Sequence, residues 1–172
     1  MGLEPSQEKP RAPEPLCSTH KLEDFDSGNA ELDNWLKRRA LKNEQGGASR
    51  TYVVCIEQRV IAYYCLAAGA VANTEAPGRI RRNMPDPIPV TIVGRLAVDL
   101  SYQGKGFGRA LVRDAVLRTL QAAEIVGIRA ILVHALSEQA KQFYEKCGFI
   151  ASPIEPMTLM VTVADALSAL EL

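Results

Sequence analysis

Gln103-Gly104-Lys105-Gly106-Phe107-Gly108-Arg109 (QGKGFGR) decides how this 172-residue chain is read. Just before it, Val90 to Val98 (VTIVGRLAV) is an apolar, β-branched run that predicts a buried strand. Just after it, Gly106 to Val126 predicts a helix, with Leu111, Val112, Ala115, Val116, Thr119, Ala123 and Val126 on one face. The first N–H groups of a helix lack partners within it, and the dipole adds partial positive charge there. Glycines let backbone approach an anion with no Cβ in the way. The stretch predicts an anion site between a strand and a helix.

Spacing excludes two common phosphate-binding designs. No GxxxxGK[ST] loop is present. A dinucleotide fold needs GxGxxG and an acidic residue about 20 positions on. Here the glycines fall at 104, 106 and 108, and the following strand ends in His134-Ala135-Leu136.

Outward from this centre, Asn29 to Asn43 predicts a helix, with Leu32, Leu36 and Ala40 on one stripe and Gln45-Gly46-Gly47 at its end. Thr51 to Glu57 and Val60 to Val71 predict two strands joined by a tight turn at Gln58-Arg59. Asn73 to Pro89 carries five Pro or Gly residues and predicts a long mobile loop. Ile128 to Ala135 reads as a strand. Glu138 to Cys147 reads as a helix with Ser137 as N-cap and Gly148 just past its end. Phe149 to Ala151 and Thr158 to Ala164 finish as strands, with Ala164 to Leu172 free to dock on the core or join an oligomer. This order predicts one α/β domain over residues 17–172, a mixed sheet with helices on its faces. Residues 1–16, rich in Glu and Pro, predict a flexible tail.

Composition narrows the partners. Lys plus Arg and Asp plus Glu number 20 each, so a nucleic acid would have to meet a local basic patch. Cys17, Cys55, Cys65 and Cys147 form no CxxC pair and no metal spacing with His20 or His134, which predicts reduced thiols and no metal. No apolar run approaches the roughly 20 residues of a membrane span, and the N-terminus lacks an apolar signal core. The chain reads as cytoplasmic.

A second segment, Ala140-Lys141-Gln142-Phe143-Tyr144-Glu145-Lys146-Cys147-Gly148-Phe149, follows A-x-x-F-Y-x-x-x-G-F. Together with the glycine turn, which fits Q/R-x-x-G-x-G/A, it resembles the GNAT acetyltransferases. That resemblance implies a mostly antiparallel mixed sheet with helices on both faces, and acetyl-CoA as acetyl donor. It implies that Leu96, Ala97 and Val98 lie along the pantetheine arm, with a backbone N–H near Val98 polarising the thioester. It assigns the pyrophosphate to Gln103, Gly104, Lys105, Gly106, Phe107, Gly108 and Arg109, and further cofactor contacts to Ser137 and Phe143. Tyr144 becomes the general acid, since a phenol near pKa 10 can protonate a departing thiolate of similar basicity.

The acceptor amine is read from a missing base. A lysine amine near pKa 10.4 needs a strong base at neutral pH, whereas an α-amine near pKa 8 does not. Val90 to Val98 contains no carboxylate, and Glu75 is an unconvincing substitute. An α-amine is therefore favoured. Phe25-Asp26-Ser27-Gly28-Asn29, Leu32-Asp33-Asn34-Trp35-Leu36, Ala48-Ser49-Arg50-Thr51 and Gly94-Arg95-Leu96-Ala97-Val98-Asp99 resemble the toxin branch of the family, of the TacT and AtaT type. That branch implies acetylation of the amino acid on charged tRNA, blocked translation, a ribbon-helix-helix antitoxin and a homodimer. Lys37 and Arg38 on the first helix, Arg79, Arg81 and Arg82 in the long loop, and Arg95 then become tRNA contacts. A GNAT enzyme acting on a small-molecule or peptide amine, and a non-catalytic CoA- or partner-binding module, are the competing readings.

Overall fold

The computed structural model describes residues 9–170. Its strands are β1 (Glu14–Pro15), β2 (Arg50–Ile56), β3 (Arg59–Val71), β4 (Ile88–Val98), β5 (Ala130–His134), β6 (Ile150–Ala151) and β7 (Thr158–Thr162). They form a seven-stranded mixed sheet in the order β1-β2-β3-β4-β5-β7-β6. β4 and β5 are parallel over Val90–Val93 and Ala130–Val133. The β1–β2, β5–β7 and β6–β7 pairs are antiparallel. Parallel neighbours need a long crossover, and the helix between β4 and β5 supplies it.

The chain clusters into two compact units, Met1–Cys65 with Arg95–Gly108, and Leu66–Gly94 with Arg109–Leu172. In the first, Asn29 caps helix α1 (Ala30–Trp35) by accepting from the Leu32 N–H at 3.2 Å. The expected helix from Asn29 to Asn43 is not one regular α-helix. Leu36–Ala40 is a π-helical turn, followed by α2 (Leu41–Gly46). A four-residue spacing advances the stripe by roughly 40° per step on an α-helix. The wider turn absorbs that drift, so Leu32, Leu36 and Ala40 all stay buried. They pack with Phe25, Val53 and Tyr63. The Tyr63 hydroxyl donates to the Leu32 carbonyl at 2.7 Å, which satisfies its one polar atom in that core.

Two further sequence expectations are corrected in this unit. The hairpin turns at Glu57-Gln58, one residue earlier than predicted, with φ of 51° and 69°. Two consecutive positive φ values match the right-handed strand twist of a tight hairpin. The segment read as a tail is tied down at its end: Glu14 and Pro15 pair with Val53 and Tyr52, and Leu16 is buried. Its first eight residues lie outside the described residues.

The second unit corrects the long loop. Asn73 to Pro89 contains a 3-10 turn (Asn73–Glu75) and a single helical turn, α3 (Gly78–Arg81), before β4 begins at Ile88. Ala76, Ile80 and Ile88 are fully buried against Val90, Leu132 and Met160. The prolines around Ala76 and Ile80 hide this anchoring in the sequence. Helix α4 (Phe107–Ala123) ends three residues short of the expected Val126, which is exposed. Its buried stripe is Leu111, Val112, Ala115, Val116 and Thr119, the last bonded to Thr91 at 3.0 Å. Ser137 caps α5 (Glu138–Lys146). The final strand stops at Thr162 rather than Ala164, because Thr162 turns to cap α6 (Val163–Ala169), whose Val163 and Ala166 dock inward.

Gly148, just past the end of α5, lies against this docked helix. Its φ is +96°, and a Cβ there would lie 2.7 Å from the Ala169 Cβ. Gly148→Ala is expected to lower stability by about 2 kcal/mol, combining left-handed strain with overpacking. A urea midpoint equal to wild type would show that neither constraint operates.

Candidate functional site

In the first unit the glycine turn is built from the end of β4. Asp99 caps the 3-10 turn Leu100–Tyr102 by accepting from Ser101 N at 2.9 Å, and also accepts from Asp26 N at 3.1 Å. The Gln103 amide then donates to Val98 O at 2.9 Å and Ser27 O at 3.0 Å. Its side chain is thus a tether for the turn. Gly104 and Gly106 have φ of +77° and +89°, alternating with residues of negative φ. This alternation folds successive N–H groups into a concavity that suits an anion. A Cβ at either glycine would meet nothing within 4 Å, so the space beside the backbone is open. Lys105 is exposed, 5.4 Å above the Tyr102 ring, and Tyr102 packs edge-on against Phe107. These features fit a polyphosphate.

Leu96 and Val98 are half-buried along β4, and Ala97 is buried. The Arg95 guanidinium lies 4.4 Å from the Trp35 ring centroid, and Trp35 stacks on Tyr63. Arg95 therefore has its partner, a cation–π contact. Lys37 and Arg38 project from the π-helical turn into solvent.

In the second unit Tyr144 is buried on α5, its ring 5.6 Å from Phe149 and 5.2 Å from half-buried Phe143. Burial pushes its phenol well above the usual range, with Cys147 adding to the rise. The Cys147 thiol, one turn along, is raised for the same reason. The Ser137 hydroxyl caps the helix by accepting from Ala140 N at 3.0 Å, which leaves its own proton to donate elsewhere. Arg109, Arg81 and Arg82 are exposed. Arg79 is held by a fork of two bonds to Asp165, which keeps that carboxyl below its usual range. Glu75, weighed as a base, lies half-buried in its 3-10 turn.

Sequence reasoning missed Arg129 and Asp165, which pin the basic turn from just before β5 and from α6. It also missed a cluster of Glu14, His20 and Cys55, whose ligand atoms lie within 4.8 Å of one another. The wiring there opposes a metal. His20 Nδ1 accepts from Cys17 N at 3.0 Å, so Nε2 carries the proton toward Glu14 at 2.9 Å. Burial pushes the Cys55 thiol up to about 11, with Glu14 contributing.

Comparison with known proteins follows this geometry. Residues 47–151 match the acetyltransferase (GNAT) domain model. The chain is 48% identical over 155 residues to a tRNA-acetylating toxin of Mycobacterium tuberculosis (strain ATCC 25618 / H37Rv), covering 90% of this chain and 93% of that protein. Its fold matches AtaT complexed with acetyl-methionyl-tRNAfMet at a TM-score of 0.85 and 28% identity, over 91% and 96% of the two chains. It also matches a tyrosine-to-phenylalanine mutant of AtaT bound to the C-terminus of the antitoxin AtaR and acetyl-CoA, at 0.80 and 27%, over 93% and 97%. Among the described residues, no helix is long and apolar enough to cross a membrane.

Proposed function

This chain belongs to the GNAT acetyltransferase family, and from that premise we propose that it acetylates the α-amine of the amino acid carried by charged tRNA. The observation that carries this reading is near-full-length similarity to a tRNA-acetylating toxin at 48% identity. The basic residues agree with it: Lys37, Arg38, Arg81 and Arg82 are exposed cations suited to phosphates, a contact that positions rather than specifies.

Acetyl-CoA supplies an acetyl group already activated as a thioester. The N–H groups of Gln103 to Gly108, with Lys105 and Arg109, hold its pyrophosphate. Leu96, Ala97 and Val98 line its pantetheine arm, and Phe143 and Ser137 stand as further contacts. The Tyr144 hydroxyl delivers its proton to the departing sulfur. Its raised pKa does not oppose this step, because desolvation raises a thiol alongside it, as Cys147 illustrates. Arg79 and Arg95, engaged by Asp165 and Trp35, position their surroundings. The acceptor amine needs no carboxylate of the chain, since an α-amine starts near pKa 8 and esterification of its carboxyl lowers it further, leaving a useful neutral fraction at physiological pH.

A product so acetylated cannot accept a peptide, so the chain acts as a cytoplasmic toxin that stalls translation. It works as a homodimer and is restrained by a ribbon-helix-helix antitoxin. The test is transfer of labelled acetyl from acetyl-CoA to purified charged tRNA. Label stable on the aminoacyl group supports the reading. Transfer only to free amines or peptides overturns it in favour of an ordinary GNAT enzyme.

A further inference from the structure

The second unit contains a cleft of about 450 Å³ lined by Arg79, Arg82, Arg129, Thr162 and Asp165, with Gly78 and Ala164 at its rim. Its three guanidinium groups are used differently. Arg129 sends Nε to the Ile80 carbonyl at 3.0 Å and a terminal nitrogen to the Arg79 carbonyl at 2.9 Å. It is thus a planar fork spanning the last carbonyls of the α3 turn. Arg79 is closed from the other side by its two bonds to Asp165. Asp165 is itself held, its N–H donating to Thr162 Oγ1 at 3.1 Å. The buried Ile80 anchors the same turn from below. A four-residue helix has almost no stability of its own, so these contacts are what fix it.

Arg82 is the exception. Its backbone N–H closes the turn on Gly78 O at 3.2 Å, but among the described residues its guanidinium makes no hydrogen bond or ion pair. One unspent, always-charged fork therefore faces a cleft whose walls are held rigid, with three positive groups against one carboxylate. Guanidinium forks match the oxygens of a phosphate, and a rigid frame lowers the entropy lost when one binds.

We propose that this cleft is a phosphate site for the backbone of the tRNA substrate, in which Arg82 contacts the phosphate and Arg129 and Asp165 are positioning residues that hold the basic turn. The proposal rests on the tRNA reading above. It assigns Arg79 a strut's role in place of direct contact, and brings in Arg129, which no motif marks.

The experiment measures KM for charged tRNA and for acetyl-CoA across a salt series, using the full chain. Arg82→Gln should raise the tRNA KM about tenfold and flatten its dependence on log salt by somewhat under one unit, with acetyl-CoA KM unchanged. Arg129→Lys keeps the charge but cannot span two carbonyls. It should raise the tRNA KM about as much as Arg129→Gln, with kcat nearly unaffected. Acetylation of charged tRNA by wild type is the control: its absence removes the underlying reading, not the cleft specifically. If wild type is active and Arg82→Gln changes neither the tRNA KM nor its salt slope, the cleft is not a phosphate site. Full rescue by Arg129→Lys, with loss in Arg129→Gln, would make Arg129 a direct ligand and overturn its positioning role. Because Arg82 is exposed and free of side-chain bonds, its variant tests the proposal even if Arg129 variants unfold.

Discussion

Tyr144→Phe is expected to reduce turnover by about a hundredfold or more while leaving acetyl-CoA affinity within about twofold of wild type. Positioned acids contribute roughly 10²–10⁴ in rate, and the substitution removes only the hydroxyl. The ring contacts with Phe143 and Phe149 remain, so the surroundings of α5 should hold their shape. Stability should change by less than about 1 kcal/mol, because the substitution leaves the ring contacts in place and the hydroxyl holds no hydrogen bond among the described residues. Single-turnover transfer of labelled acetyl measures the chemical step directly, and cofactor binding is followed separately. Turnover within threefold of wild type would remove Tyr144 from the chemistry. In growing cells the same variant should relieve any growth arrest caused by expression.

The pH profile gives an independent view of the same residue. Burial raises the Tyr144 pKa, so its phenol stays protonated throughout the working range. A raised pKa keeps the acid form available as pH increases. The rate should therefore climb as the acceptor α-amine loses its proton, with an apparent pKa at or below about 8, and then level off. A decline between pH 8 and 10 would contradict the raised phenol. Tyr144→Phe should lower the whole curve without moving its midpoint.

What the sequence reveals and what it hides divide along physical lines. The short helix that carries Tyr144 is legible because Phe143, Gly148 and Phe149 occupy fixed spacings around it. Gly104 and Gly106 are legible because glycine enters positive φ at no steric cost, whereas Glu57 and Gln58 reach it only in the hairpin turn. The basic turn was only half legible. Its arginines stood out, but Pro77, Pro85, Pro87 and Pro89 concealed that Ala76, Ile80 and Ile88 anchor it. A single helical turn leaves no periodicity to detect, and the residues that pin it, Arg129 just before β5 and Asp165 in α6, are distant in sequence. Arg95 shows the same limit. A charged residue within an apolar strand signals a partner without naming it, and Trp35 stands 60 residues earlier. The π-helical turn was hidden for a different reason: a four-residue stripe fits an α-helix loosely and a wider turn better, and helical patterning does not separate them over so few residues.

Gly106→Val should raise the dissociation constant for acetyl-CoA about a hundredfold at small cost to folding. The site has φ of +89°, where a β-branched residue is strained, yet a Cβ there would touch nothing within 4 Å. The protein can therefore relieve the strain cheaply by rotating the turn to negative φ. That rotation destroys the alternation which gathers the N–H groups around one point. Each N–H bond to a charged phosphate contributes about 1.5–3 kcal/mol, so misaiming one or two accounts for the predicted factor. Stability should drop by only about 1–2 kcal/mol, the strain of one left-handed residue. Gly106→Asn separates backbone from bulk, because Asn enters the left-handed region more readily than Val. If the turn's conformation holds the pyrophosphate, Asn should retain most of the affinity that Val loses. Equal loss in both would place the side chain in the ligand's own space. Unchanged affinity in both, measured by calorimetric titration with acetyl-CoA, would mean that Gln103 to Gly108 does not hold the pyrophosphate.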